Sequence, residues 1–220
     1  IIGVHFRNRT LLQEALTHRS YPNDIKKSKG MRDNERLEFL GDAVLEYVVC
    51  NFLFQQKALY SEGEMTQFKS VLVSGRSLGQ LGEHLNLGKY IYMSKGARDQ
   101  FLWGSTSRSS IIASAIEAII GAIDVDRGIG TAELFILEFI LPRLREIVET
   151  KAYLDPKSYW QEMAQEKFGL MPSYTLLFTQ GSEHDKVYVV ATCLDKEQVA
   201  IGRGTSKQRA EVEAARNALK

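Results

Sequence analysis

The hydrophobic rhythm changes once along this chain, and that change constrains the fold more than any other feature. From about Leu11 to Val148, apolar residues recur three and four positions apart with few β-branched alternations, the period of helices packed on a shared core. Turn signals at Pro22-Asn23-Asp24, Ser61-Glu62-Gly63 and Arg127-Gly128-Ile129-Gly130 divide that stretch into separate helices. At Tyr153-Leu154-Asp155-Pro156 the residue before proline is pushed out of the α region, which marks a linker. Beyond it the spacing predicts a helix from Lys157 to Phe168, strands from Ser173 to Thr179, Lys186 to Leu194 and Val199 to Arg203, and a helix from Ser206 to Leu219. The middle strands alternate and are rich in Val, Tyr and Thr, as half-buried antiparallel strands are. The expected architecture is an all-α domain over 1–150, a linker over 151–156, and a small α+β domain of the α-β-β-β-α kind over 157–220.

Composition excludes several classes and selects none. Runs such as Ala118-Ile119-Ile120-Gly121-Ala122-Ile123 fall far short of the ~20 residues of a membrane helix. No secretory leader is visible, so a soluble cytoplasmic protein is expected; the chain opens on Ile1, which points to further sequence before it. Cys50 and Cys193 have no CxxC or neighbouring His pair, which argues against a zinc site or a disulfide framework. Net charge is +1, so contact with a nucleic acid has to come from local placement of Lys and Arg.

On a helical wheel of ~100° per residue, Glu35, Glu38 and Asp42 fall within about 60° of one another, while Leu37, Leu40, Val44 and Val48 gather opposite. Glu46 shares the acidic face, so geometry alone does not select functional acids. Most such faces are solvated faces of amphipathic helices. Two residues argue for more. Phe39 lies on the acidic side, where an exposed aromatic suggests a contact surface. Gly41 costs a helix interior about 1 kcal/mol relative to Ala, and close approach of another backbone would explain it.

The segment Asn34-Glu35-Arg36-Leu37-Glu38-Phe39-Leu40-Gly41-Asp42-Ala43-Val44-Leu45 resembles the signature of ribonuclease III. Ala15-Leu16-Thr17-His18-Arg19-Ser20-Tyr21, Glu62-Gly63 and Leu72-Val73-Ser74 resemble the family in the same order. The resemblance implies a homodimeric all-helical endonuclease domain in which each subunit cuts one strand of double-stranded RNA with Mg²⁺, for which Mn²⁺ can substitute, and with no organic cofactor. It implies 5′-phosphate and 3′-hydroxyl ends with short 3′ overhangs, and a role in processing ribosomal and messenger RNA. Carried over, Glu38, Asp42 and Glu117 match acids of the metal site, with Asp42 and Glu117 also catalytic. Glu35 and Glu62 match assisting acids of the catalytic valley, and Phe39 matches an aromatic knob of the dimer interface. Hard oxygen ligands suit Mg²⁺, and clustered carboxylates repel until a cation arrives.

Position 114 departs from that pattern. Isoleucines at 112, 116, 119, 120 and 123 form a core stripe, with Ser114, Glu117 and Gly121 expected on the opposite face. The family has an aspartate metal ligand where this chain has Ser114. A neutral hydroxyl can bond a water but supplies no charge. Three readings stay open: a variant that cleaves with weaker metal affinity, a double-stranded-RNA-binding or ribosome-associated paralogue without cleavage, or an engineered substitution.

The second domain resembles a double-stranded-RNA-binding domain through Pro172-Ser173-Tyr174, Gly181-Ser182-Glu183-His184 and Gly202-Arg203-Gly204-Thr205-Ser206-Lys207-Gln208-Arg209-Ala210-Glu211. The expected helix turns Ser158, Gln161 and Glu162 to one face and Trp160, Met163 and Ala164 to the other. The resemblance implies that Ser158, Gln161 and Glu162 meet one minor groove and His184 the next. Lys207, with Arg203 nearby, matches the phosphate contact at the start of the last helix. The usual lysine pair is Lys207-Gln208 here, and Arg209 is a partial replacement about 100° further round. From Lys157 onward nine Lys or Arg face eight Asp or Glu, which predicts salt-sensitive binding.

Overall fold

A computed structural model describes residues 2–21, 31–56, 60–151, 153–182 and 185–220. The Pro22-Asn23-Asp24 turn and His184 lie outside the described residues. The chain divides into two compact units, Ile1–Tyr153 and Leu154–Lys220.

The first unit is helical: α1 (Arg9–Ala15), α2 (Glu35–Gln55), α3 (Glu62–Leu72), α4 (Gly75–His84), α5 (Lys95–Trp103), α6 (Ser105–Arg127), α7 (Ile129–Phe139) and α8 (Arg143–Glu149). The two long helices α2 and α6 pack along each other and organise the rest. Leu45, Val48, Val49 and Leu53 of α2 and Ile116, Ile119, Ile120 and Ile123 of α6 are buried in one core with Phe68, Leu72, Phe135 and Ile136. What lets the axes come close is a pair of glycines. A Cβ on Gly41 would lie 2.6 Å from the carbonyl carbon of Glu117 and 2.8 Å from the amide nitrogen of Gly121, and one on Gly121 would lie 3.0 Å from the amide nitrogen of Gly41. Backbone therefore meets backbone, as the sequence cost of Gly41 suggested.

The Ser114–Glu117–Gly121 side of α6 lies opposite the isoleucine stripe and is packed in its turn: Gly121 is pressed against α2, and Ala113, Ala115, Ala118 and Ala122 are buried as well. Small residues let both sides of α6 pack, so polarity does not mark the surface here. The unit is helical, as the hydrophobic period predicts, with two short additions. Thr17 and Tyr92 form an isolated parallel bridge, and Leu87–Lys89 is a single 3₁₀ turn. The Ser61 signal is a helix start: its hydroxyl accepts from the Glu64 amide while the Glu64 carboxylate accepts from the Ser61 amide, a capping box.

The second unit is α9 (Pro156–Phe168), β1 (Pro172–Gln180), β2 (Val187–Leu194), β3 (Glu197–Gly204) and α10 (Lys207–Ala218), with an antiparallel sheet in the order β1-β2-β3. Asp155 caps α9 by accepting from the amides of Lys157 and Ser158, and Pro156 occupies the first helical position, where it needs no donor. Thr192 is the centre of the helix-facing side: it pairs with Tyr174 and Ala200, and its hydroxyl accepts a buried 2.9 Å hydrogen bond from the Trp160 indole. Ala210 and Ala214 of α10 rest on Gly202, where a Cβ would strike the helix backbone.

Candidate active site

Asn34 is buried at the entrance to α2, where its amide donates to the Thr17 carbonyl (2.9 Å) and its carbonyl accepts from the Glu38 amide (2.8 Å). The His18 amide donates to the Tyr92 carbonyl (2.9 Å). These bonds fix His18, Arg19, Glu35 and Glu38 as one wall of a cleft of about 170 Å³, with Ser110, Ile111 and Ser114 of α6 as the other.

Across that cleft the Ser114 hydroxyl donates to Glu38 Oε1 at 2.9 Å. One turn along α6, burial and then the negative charges of Asp42 and Glu38 push the Glu117 carboxyl up to about 7. The Gly41–Gly121 crossing thus brings Glu38 and Asp42 of α2 together with Ser114 and Glu117 of α6. A half-buried acid held near two others is stabilised in its charged form by a cation.

Other expected residues stand apart from this cluster. Glu35 lines the cleft but is exposed, with an Arg19–Glu35 ion pair of 3.5 Å that contributes little in solvent. Glu62 lies in the first turn of α3, accepts from the Thr66 hydroxyl (3.1 Å), and borders a separate apolar groove with Tyr47, Phe54 and Met65. Phe39 is 82% exposed.

Three residues close to the cluster escaped the sequence reading. His18 and Asn34 line the cleft. Burial, with the Arg19 guanidinium adding to it, holds His18 below the ordinary histidine value against the opposing pull of Glu35 and Asp33. Lys69 donates to Glu46 Oε1 at 3.1 Å, and that bond chiefly raises its pKa, with smaller help from Asp42. The Ala15–Tyr21 run carried a signal for His18; nothing in the sequence ties Lys69 to Asp42.

In the second unit Ser158, Gln161 and Glu162 are exposed on α9, while Trp160 and Ala164 are buried and Met163 packs beside them. Lys207 is exposed at the first position of α10, behind the Ser206 cap. Arg209 stands apart from Lys207 on the helix wheel. Two positions carry it about 200° round the helix, where it donates to the Thr205 hydroxyl (3.1 Å) and lines a hollow with Arg203, Gln208 and Arg216.

The donors at the α2–α6 crossing suit a hard divalent cation by type, since they are carboxylate and hydroxyl oxygens, and by charge, since burial and then the charges of Asp42 and Glu38 destabilise Glu117 as an anion. They do not form a closed ligand set: among the described residues no three His, Cys, Asp or Glu side chains converge as one. Ser114 adds a hydroxyl where a fourth carboxylate would add charge. Among the described residues no helix is long and apolar enough to cross a membrane.

A family profile described as ribonuclease-III-like matches residues 8–144, and one described as a double-stranded RNA binding motif matches residues 156–220. The chain is 42% identical to ribonuclease 3 of Clostridium acetobutylicum over 219 residues, covering 100% of this chain and 93% of that protein. It is 39% identical to ribonuclease 3 of Chloroflexus aurantiacus, covering 99% of this chain and 87% of that one. A nuclease domain of ribonuclease III from Campylobacter jejuni, described with a region involved in dimer formation, superposes with a TM-score of 0.56 at 38% identity, covering 64% of this chain and 92% of that one.

Proposed function

The chain belongs to the ribonuclease III family, and from that premise we propose how its double-stranded-RNA endoribonuclease activity is carried out. Residues 1–150 are the endonuclease domain, 157–220 the double-stranded-RNA-binding domain, and 151–156 the linker. Glu38, Asp42 and Glu117 hold Mg²⁺, with Mn²⁺ as a substitute and Ser114 contributing through its hydroxyl. A bound Mg²⁺ supplies charge neutralisation at the scissile phosphate and lowers the pKa of water there. The observation that carries this reading is the placement of Glu117 beside Asp42 and Glu38 across the glycine crossing.

The side chains divide the remaining work. Ser114 orients Glu38 by donating to Oε1, which leaves Oε2 free of that bond. With its carboxyl pushed up to about 7, Glu117 is only partly ionised at neutral pH, and a cation held there would favour its charged form. Glu35 and Glu62 assist from the sides of the valley. Ser158, Gln161, Glu162, His184, Arg203 and Lys207 hold the duplex by shape and phosphate, with little sequence selectivity. Phe39 enters a second copy of the chain, so that two sites make staggered cuts leaving 5′-phosphate and 3′-hydroxyl ends. Cytoplasmic processing of ribosomal RNA precursors is the role this fits.

Labelled duplex RNA with Mg²⁺ tests the assignment. Wild type should cut, Glu117→Gln should not, and Ser114→Asp should cut at lower Mg²⁺ concentration. If wild type is as inert as Glu117→Gln and only Ser114→Asp cuts, the chain is a binding protein.

A further inference from the structure

Behind the wall that carries His18 and Arg19 lies a second hollow, of about 520 Å³. The two share the short Leu16–Thr17–His18 segment: the Tyr92 amide donates to the Leu16 carbonyl (2.8 Å), and the His18 amide to the Tyr92 carbonyl (2.9 Å). His18 lines the acidic cleft, and Leu16, Tyr90 and Tyr92 line the hollow. Its cations are Arg9, Lys89 and Arg98, and no Asp or Glu lines it. In a chain of net charge +1, three cations without a lining carboxylate make a local anion site.

The rim of the hollow is held by hydrogen bonds. Arg98 donates to the carbonyls of Gly88 (3.1 Å) and Ile91 (2.7 Å), which brackets Lys89 and Tyr90 and holds them in place. Tyr90 is 47% exposed and, among the described residues, has no ring packed on it, whereas Tyr92 leans on Tyr21 at 5.5 Å. Arg9 and Lys89 have no ion-pair partner among the described residues. Free cations beside an open aromatic face are the pairing that binds unpaired nucleotides, phosphate on the charge and base on the ring.

We propose that this hollow binds a single-stranded RNA segment flanking the duplex, with its phosphates on Arg9 and Lys89 and a base stacked on Tyr90. The inference rests on the reading of the chain as a double-stranded-RNA nuclease. It gives that enzyme a preference for duplexes with an unpaired extension, which the duplex-binding residues do not supply.

The test uses the full chain, metal replaced by Ca²⁺ to hold substrate uncut, and two RNAs: a blunt duplex and the same duplex with a six-nucleotide single-stranded extension. Wild type should bind the extended RNA roughly tenfold more tightly, the size of one stacking contact. Tyr90→Leu and Lys89→Gln should each lose most of that gain while binding the blunt duplex as wild type does, and Tyr90→Phe should keep it. Lys89→Gln should flatten the salt dependence by about 0.7 for the extended RNA only. Excess AMP should fail to compete. Equal wild-type affinity for both RNAs, equal losses on both in the variants, or displacement by AMP overturns the proposal. If wild type neither binds nor, with Mg²⁺, cuts the blunt duplex, it is the proposed function that fails.

Discussion

Replacing Gly41 with Ala should damage stability and catalysis together, because one backbone contact serves both. The new Cβ would overlap the Glu117 carbonyl oxygen and sit 2.6 Å from its carbon, where ordinary contact begins near 3.4 Å, so relieving the carbon alone parts α2 and α6 by 0.8 Å and the oxygen demands more. Overpacking of this kind costs about 1–3 kcal/mol, and the helical preference of Ala over Gly returns about 1 kcal/mol. Because the clash is with rigid backbone rather than a movable side chain, the upper end applies, and the net loss is about 1–2 kcal/mol. At about 2–4 °C per kcal/mol for a chain of this size, Tm should fall by about 2–8 °C. The same movement separates Glu38 and Asp42 from Ser114 and Glu117. A misplacement near 1 Å can cost about 100-fold in rate, so single-turnover cleavage should slow by about that factor in protein that is still folded. Gly63→Ala is the control, since its Cβ would meet nothing within 4 Å. If Gly41→Ala matches Gly63→Ala in both melting and cleavage, the glycine crossing does not position the site.

In metal-free protein, Glu117→Gln should raise Tm at pH 8 while leaving it unchanged near pH 4.5. The folded carboxyl titrates near 7 against an ordinary 4.5, so the folded state retains a proton that the unfolded chain loses, and stability falls as pH rises through that window. The shift sets a ceiling of about 3 kcal/mol, reduced to about 1–2 kcal/mol by solvent screening; an equal Tm difference at both pH values would contradict this. Phe39→Ala should weaken self-association by tenfold or more in sedimentation equilibrium without altering the fold, and an unchanged association constant would remove Phe39 from the interface. Thr192→Val leaves the Trp160 indole without its buried acceptor, which should cost about 1–3 kcal/mol and weaken duplex binding, while metal-dependent features of the first unit stay intact; wild-type melting and binding would refute it.

The sequence by itself determined the class of both units, because the hydrophobic period depends only on which side of a helix or strand is buried. It identified the acidic side of α2 and Gly41 as a close approach, since a glycine inside a strong helix needs a local reason. The short strands were legible to within two residues, as at β1 (Pro172–Gln180), because alternation and turn residues are local.

Only the tertiary structure decided which acids meet. Glu35, Glu38, Asp42 and Glu46 are indistinguishable on a wheel, and it is the crossing of α2 with α6 that selects Glu38 and Asp42 as neighbours of Glu117 and leaves Glu35 in solvent. The packing of the small-residue side of α6 was invisible for a related reason: alanine and glycine carry no strong hydropathy, so their burial follows from what packs against them. The same holds for Arg209, whose role follows from its angle on α10, and for Lys89 and Tyr90, which acquire a common surface with Arg9 only because the chain returns beside Leu16. Periodicity is a property of one segment; a site is made where two segments are brought together.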